Sequence, residues 1–362
     1  MAESEAVRSA IGSVTYPILG RSLAELDLIR KVEVGKRGAA EATIALPFIG
    51  HPDDPKLQAD IEEAITAVKG VRSLNVEVVE MTEEEQAAMM QPLLDANPGV
   101  NGPGSQTRVI SVASGKGGVG KSSVTANLAV ALARAGHSVG VMDADVCGFS
   151  IPKMMGTAPA PVLIGQSIVP PVAHGVRVMS MDFFVGDEKA VIWRGPMLHK
   201  AMEQFIEDVF WDGVDYLLVD TPPGTGDVAI SLSQFLPRAQ MLLVTTPQPT
   251  AQRVARRAAL MAKEVDQELM GVIENMSWFR GDDGKEYEIF GSGGGKALAD
   301  ELLVPLLGQV PLLPAVREGA DQGVPAALAA PGSEVEAAFA ELAASVATLR
   351  PRVRTHPDLV IR

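Results

Sequence analysis

Ser114-Gly115-Lys116-Gly117-Gly118-Val119-Gly120-Lys121-Ser122 is the stretch on which the reading of this chain turns. Its spacing, a glycine, four residues, then Gly-Lys-Ser, satisfies the Walker A pattern. Glycines are needed because backbone N–H groups must curl around phosphates, often at positive φ, with no side chain in the way. Lys121 is expected to reach the β- and γ-phosphates of ATP, and the Ser122 hydroxyl to ligate Mg²⁺. Residues 108–112 read as a short apolar strand before the loop, and 124–135 as an alanine-rich helix after it. The phosphates then sit on a helix N-terminus.

Outward from that loop, short apolar strands alternate with helices. Strands are expected over 109–112, 138–142, 176–180, 216–219, 241–245, 271–274 and 306–310. Their near-continuous apolar character suits strands buried on both faces of a parallel sheet. Nucleotide then belongs at the carboxyl ends of the strands. Toward the N-terminus the pattern changes. Residues 22–29 look helical, and 31–34 and 42–46 look like strands. Residues 55–68 carry Leu57, Ile61, Ala64, Ile65 and Val68 at helical spacing, Gly70 ends that helix, and 74–78 alternate as a strand. The fold class predicted is α/β: a P-loop NTPase with a mostly parallel sheet flanked by helices, preceded by a small α+β domain. The expected boundaries are 1–90 for the small domain, 91–106 for a linker rich in turn formers, 107–349 for the P-loop domain and 350–362 for a flexible tail.

The 362 residues are too many for one ordinary domain, and the formal charge of −14 argues against electrostatic binding to nucleic acid or an anionic membrane. The tail from Arg350 is basic, but short and proline-interrupted, which does not suit a membrane-anchoring helix. The single cysteine, Cys147, rules out an intrachain disulfide and an all-cysteine metal site within one chain. The N-terminus is polar, with no signal-peptide core, and no stretch has the length of a membrane span. A cytoplasmic protein is therefore expected.

Nucleotide hydrolysis needs an acid for the magnesium shell and a group that orients water. Tyr216-Leu217-Leu218-Val219-Asp220 supplies the first, an apolar strand ending in Asp220 in the Walker B arrangement. Gly224-Thr225-Gly226-Asp227 follows as a segment able to sense the γ-phosphate. Val141-Met142-Asp143-Ala144-Asp145 is another strand ending in acids. One of that pair suits the magnesium shell and the other a water contact, and spacing alone leaves open which. Asn275 closes a further strand, where its amide offers a donor and an acceptor to an adenine edge.

Lys116 ahead of the Gly-Gly pair resembles the deviant Walker A ATPases, the class of MinD, ParA and the nitrogenase iron protein. Val219-Asp220-Thr221-Pro222-Pro223-Gly224-Thr225-Gly226-Asp227, Trp193-Arg194-Gly195-Pro196, Glu274-Asn275-Met276-Ser277 and Phe290-Gly291-Ser292-Gly293-Gly294 resemble one branch of it. That branch is the Mrp/ApbC family of ATP-dependent iron–sulfur cluster carriers. The N-terminal block is similar to the iron–sulfur assembly domain often placed before such ATPases. The resemblance implies that Gly115, Lys116, Gly117, Gly118, Val119, Gly120, Lys121 and Ser122 bind ATP. It implies that Lys116 points across a homodimer at the partner's phosphates and that Asp145 orients the attacking water. Asp143 is then near Mg²⁺, Asp220 in its outer shell and Asn275 facing adenine. Implied partners are a second copy and iron–sulfur assembly or apo-client proteins.

The chain departs from that family at one place above all. A Cys-x-x-Cys pair usually follows the Glu-Asn-Met-Ser motif, so that a dimer offers four thiolates to one bridging cluster. Here Gly281 and Gly284 stand in those positions, with Asp282 and Asp283 between them in a turn between strands. His51-Pro52 stands where related N-terminal domains carry Cys-Pro; a lone loop histidine of this kind is expected to be solvent-exposed and idle. Cys147 is expected to be a small buried apolar side chain. The expected function is an Mrp-type ATPase in cluster assembly or delivery that lacks the usual ligands. The alternatives are a MinD/ParA-like dimeric switch acting on a protein partner, and a nucleotide-dependent reductase or metal-insertion ATPase.

Overall fold

The structure is a computed structural model that describes residues 2–35, 38–145, 148–157, 160–184, 195–224 and 227–350. Cys147, Trp193, Arg194, Thr225, Gly226 and the tail beyond Arg350 lie outside the described residues. Two units separate, residues 1–97 with 161–169, and residues 98–160 with 170–362.

In the first unit, helix α1 (Ala2–Gly12) precedes strands β1 (Ile29–Val34) and β2 (Ala39–Leu46), helix α2 (Asp54–Thr66), strand β3 (Ser73–Glu80) and helix α3 (Glu83–Ala96). β1 and β2 pair antiparallel, and β2 and β3 parallel across the α2 crossover. Leu57, Ile61 and Ile65 form the buried stripe of α2, as their spacing predicts. Residues 22–29 are not a helix. Leu23, Leu26 and Leu28 are all buried and Asp27 takes a positive φ of 49°, so this stretch turns into the core before β1 begins. The linker expected over 91–106 is shortened from its front. Thr82 and Glu85 form a reciprocal capping box that starts α3, and the helix runs on to Ala96. A hairpin, Val162–Ile164 with Ser167–Val169, also belongs to this unit. Its turn is fastened where Gly165 N donates to Gln86 Oε1 on α3 at 3.0 Å.

The second unit is built on an eight-stranded sheet. Its strands in chain order are β4 (Arg108–Ser114), β5 (Val139–Asp143), β6 (Val176–Ser180), β7 (Tyr216–Asp220), β8 (Gln240–Thr245), β9 (Glu268–Asn275) and β10 (Leu306–Val310). The spatial order is β6-β5-β7-β4-β8-β9-β10, all parallel, with a two-residue antiparallel strand, Val172–Ala173, beside β6. The helices are α4 (Lys121–Arg134), α5 (Ile151–Met155), α6 (Gly195–Glu207), α7 (Asp227–Phe235), α8 (Pro249–Glu264), α9 (Gly294–Leu302), α10 (Pro314–Gln322) and α11 (Glu334–Thr348). Alternate residues of β4 and β8 go to opposite faces. Ile110, Val112, Leu242 and Val244 pack with Leu128 and Leu132 of α4 and Phe339 of α11, whereas Leu243 packs with Ala255, Ala258 and Ala259 of α8 and Leu298 of α9. Burial on both faces is why these strands read as continuous apolar runs.

The alanine seam of α8 (Ala251, Ala255, Ala258, Ala259, Ala262) lets that helix lie close to the sheet. It comes so close to the start of the loop that a Cβ on Gly115 would lie 2.2 Å from Ala255 N. A Cβ on Gly117 meets nothing within 4 Å. Gly115→Ala should therefore cost about 1–3 kcal/mol by overpacking, while Gly117→Ala stays within about 0.5 kcal/mol of the parent. Urea denaturation of both variants checks this, and equal stabilities would contradict the close approach of α8.

Candidate nucleotide site

The carboxyl ends of four adjacent strands meet in register. Asp220 at the end of β7 lies opposite Asp143 of β5 and Val112 of β4, and Val244 of β8 lies opposite Ser114. The loop 114–120 leaves β4 here and turns into α4 through two glycines in the left-handed region, Gly118 at φ 80° and Gly120 at φ 78°. A side chain at Gly120 would also strike Asn275 Nδ2. Gly117 and Gly118 face open space beside the N-terminus of α4.

Asp220 is wholly buried, and three donors converge on its carboxylate. Lys121 Nζ lies 2.7 Å from Oδ2, Ser122 Oγ donates to Oδ2 at 2.6 Å, and Thr125 Oγ1 donates to Oδ1 at 2.8 Å. Lys121 and Ser122 open α4 and Thr125 follows one turn later, so a single helix end supplies all three. Asp145 lies further out, 4.0 Å from Lys121 Nζ and largely buried.

Asp143 does different work. Its Oδ1 accepts Asp145 N at 3.2 Å, and its Oδ2 accepts Ser150 N, Ile151 N and Ser180 Oγ at 3.2, 3.3 and 3.2 Å. It thus ties Asp145, Ser150 and the start of α5 to the sheet. Burial, and then the charge of Asp220, push its carboxyl up to about 7, although the backbone amides pull the other way.

Asn275 donates from Nδ2 to Val119 O at 2.8 Å, so one amide proton expected at an adenine edge here braces the loop from β9. Lys116, expected to point away from its own chain, donates to Gln248 Oε1 at 3.1 Å. Thr246 Oγ1 and Trp278 Nε1, just beyond the ends of β8 and β9, are buried without a hydrogen-bond partner. Thr125, Ser180 and Gln248 were not foreseen from sequence. Thr125 alone carried a signal, since it stands one helical turn after Lys121.

The stretch after Asn275 is a hairpin, as the glycine–aspartate reading expects. Phe279–Arg280 pairs with Glu286–Tyr287, Gly284 takes φ 75°, and Tyr287 OH donates to Asp283 Oδ2 at 2.9 Å. The amide of Lys285 and that tyrosine hydroxyl hold the Asp283 carboxyl below the usual range. A Cβ on Gly281 would fall 2.8 Å from the Tyr287 ring, so the tip is shaped for glycine. No group of three or more histidine, cysteine, aspartate or glutamate side chains able to hold a metal occurs among the described residues. His51 is not the exposed loop side chain expected. Its ring is only 7% exposed, its Nδ1 accepts Asp53 N at 3.2 Å, and it meets Phe48 edge-on.

A glycine loop opening a helix, with a strand-end carboxylate against its lysine and serine, defines a P-loop NTPase. The family model described as NUBPL iron-transfer P-loop NTPase matches residues 105–347, and that of an iron–sulfur cluster assembly protein matches residues 4–78. The chain belongs to this family of iron–sulfur cluster carrier P-loop NTPases. It is 43% identical over 355 residues to an iron–sulfur cluster carrier protein of Mycobacterium tuberculosis, covering 95% of this chain and 93% of the relative. It is 41% identical over 314 residues to one of Bacillus subtilis, covering 86% and 89%. Among solved structures it is similar to an Archaeoglobus fulgidus nucleotide-binding protein in complex with ADP, at 30% identity and TM-score 0.55, covering 69% of this chain and 94% of that one. It is also similar to the Pyrococcus furiosus cell division ATPase MinD, at 27% identity and TM-score 0.52, covering 67% and 99%. Among the described residues no helix is long and apolar enough to cross a membrane.

Removing one member of a buried ion pair strands the other charge in a low dielectric. Lys121→Ala should cost about 3–5 kcal/mol of stability for that reason, before any nucleotide is considered. Lys121→Ala combined with Asp220→Asn should recover most of that loss. Urea midpoints of the two variants test this, and additive losses would argue against the pairing.

Proposed function

We propose that this protein is a Mg²⁺-dependent ATPase that acts as a homodimer in iron–sulfur cluster assembly or delivery. The observation that carries the reading is the convergence of Lys121, Ser122 and Thr125 on Asp220 beneath an open glycine loop. Those residues fit ATP with magnesium. The open space at Gly117 and Gly118 leaves room for phosphate, and the loop amides and the α4 terminus favour anions. Ser122 would hold the magnesium, with Asp220 in its outer shell and Asp143 nearby; the ion supplies charge neutralisation on the phosphates. Lys121 exchanges Asp220 for the β- and γ-phosphates. Asp145 orients the attacking water, and Asp143 keeps Asp145 in place through the Asp145 amide. Asn275 supports the loop and offers its remaining amide groups to the adenine. Lys116 serves the nucleotide of the second copy, which couples hydrolysis to dimer geometry.

Lys116→Ala and Asp145→Ala should each abolish turnover alone yet restore one working site per heterodimer when mixed. Steady-state phosphate release over a range of mixing ratios reads this out. Absence of rescue, with heterodimers shown by sedimentation, would mean that Lys116 acts only within its own chain.

The cluster is cargo, and here the chain differs from the usual carrier. A bridging four-thiolate site needs four cysteines, and two copies of this chain contribute two. The glycine hairpin at 281–284 favours the second reading in mechanism, a MinD/ParA-like switch that acts on a client or assembly protein holding the cluster itself. Its partners are proteins, not nucleic acid or membrane, and its place is the cytoplasm. Anaerobic reconstitution with iron and sulfide should leave no chelator-resistant cluster on the dimer. About four irons per dimer that are lost on Cys147→Ala would instead establish a mixed-ligand cluster at that cysteine.

A further inference from the structure

Gln248 stands where β8 passes into α8, and it is tied to that place by its backbone. Its carbonyl accepts Ala251 N and Gln252 N, and Gln252 Nε2 in turn holds Pro247 O at 2.8 Å. Its side chain makes no capping bond to α8, although it occupies the N-cap position. The side-chain oxygen accepts Lys116 Nζ instead, at 3.1 Å. The loop end of this contact is fixed too, because Gly115 abuts the α8 backbone at Val254 and Ala255 and Ser114 Oγ donates to Lys116 O at 3.1 Å. Two rigid elements therefore present an ammonium and a neutral acceptor to each other.

We propose that Gln248 is a positioning residue that keeps Lys116 on its own chain and so sets the threshold for nucleotide-driven dimerisation. The inference rests on the reading above, in which Lys116 serves the second copy. A lysine reaching a second subunit's phosphates has to leave Gln248, so the two uses of the ammonium compete. The apparent affinity of a binding-competent state is lowered by the fraction of molecules that occupy it. Solvent screens a charged donor on a neutral acceptor at this half-exposed site, which leaves a modest hold, of the order of threefold per chain. A twofold dimer opens two such contacts, so the effect on the dimer dissociation constant is the square, about tenfold. A neutral amide suits a latch that must release, since a carboxylate would hold a lysine more firmly.

The test is a pair of opposite substitutions. In saturating magnesium and adenylyl imidodiphosphate, Gln248→Ala should tighten the dimer about tenfold by sedimentation equilibrium. Gln248→Glu should weaken it, and added salt should reduce that weakening. Neither change removes a capping bond, and glutamate at a helix N-terminus is electrostatically favoured, so lost folding does not imitate the weakened dimer. In a Lys116→Ala background both effects should vanish. If Gln248→Ala weakens the dimer, Gln248 is an interface contact and the latch is wrong. If both variants stay within twofold of the parent while Lys116→Ala and Asp145→Ala complement each other, the latch alone fails. If that complementation fails, the trans role of Lys116 is the part that is wrong.

Discussion

The Lys121–Asp220 pair is the interaction on which the site depends. Moving two charges out of water costs several kcal/mol each, and only close contact with further hydrogen bonds offsets it. Here the Ser122 and Thr125 hydroxyls supply those bonds, and all three partners come from the start of one helix. The pair therefore locks the start of α4 onto the end of β7. That lock places the loop glycines over the strand ends, since the loop has only a few residues between Ser114 and Lys121 in which to adjust.

Around this pair two further side chains hold the backbone in place. Asp143 and Asn275 hold: the first gathers three backbone amides and a hydroxyl, and the second braces Val119. Asp143 is buried and sits next to a second buried carboxylate, which together raise its proton affinity. Asp145 lies 4.0 Å from Lys121 Nζ, and Lys116 meets Gln248. Two acids one residue apart thus take different partners, Asp143 the backbone amides and Asp145 the neighbourhood of Lys121.

The hairpin after Asn275 is set by its backbone and by one ring. Gly284 adopts a backbone conformation that a cysteine tolerates poorly, and a side chain at 281 would meet the Tyr287 ring. The turn is closed by Asp283 through Tyr287 and Lys285. Its chemistry is that of a tight β-turn, with acids placed to accept backbone and tyrosine hydrogens.

The parallel sheet, the phosphate loop and the strand-end acid could all be read from the sequence. These features are written in neighbouring residues: a glycine spacing, a run of apolar side chains, an acid at its end. The same logic located the stripe of α2 and the turn at 281–284. It failed at 22–29, where buried leucines on several sides imitate a helix that Asp27 breaks, and at 91–96, where the capping box of Thr82 and Glu85 starts a helix that runs into the expected linker. What only the tertiary structure decided is which partner each functional side chain takes. Lys116 meets Gln248 132 residues away, Asn275 meets Val119 across 156, and Ser180 meets Asp143 across 37. Such pairings depend on how closely α8 and the strands pack, which the alanine seam of α8 and the sheet register set together. No local pattern records them, because contacts of that separation exist only once the helices are laid on the sheet.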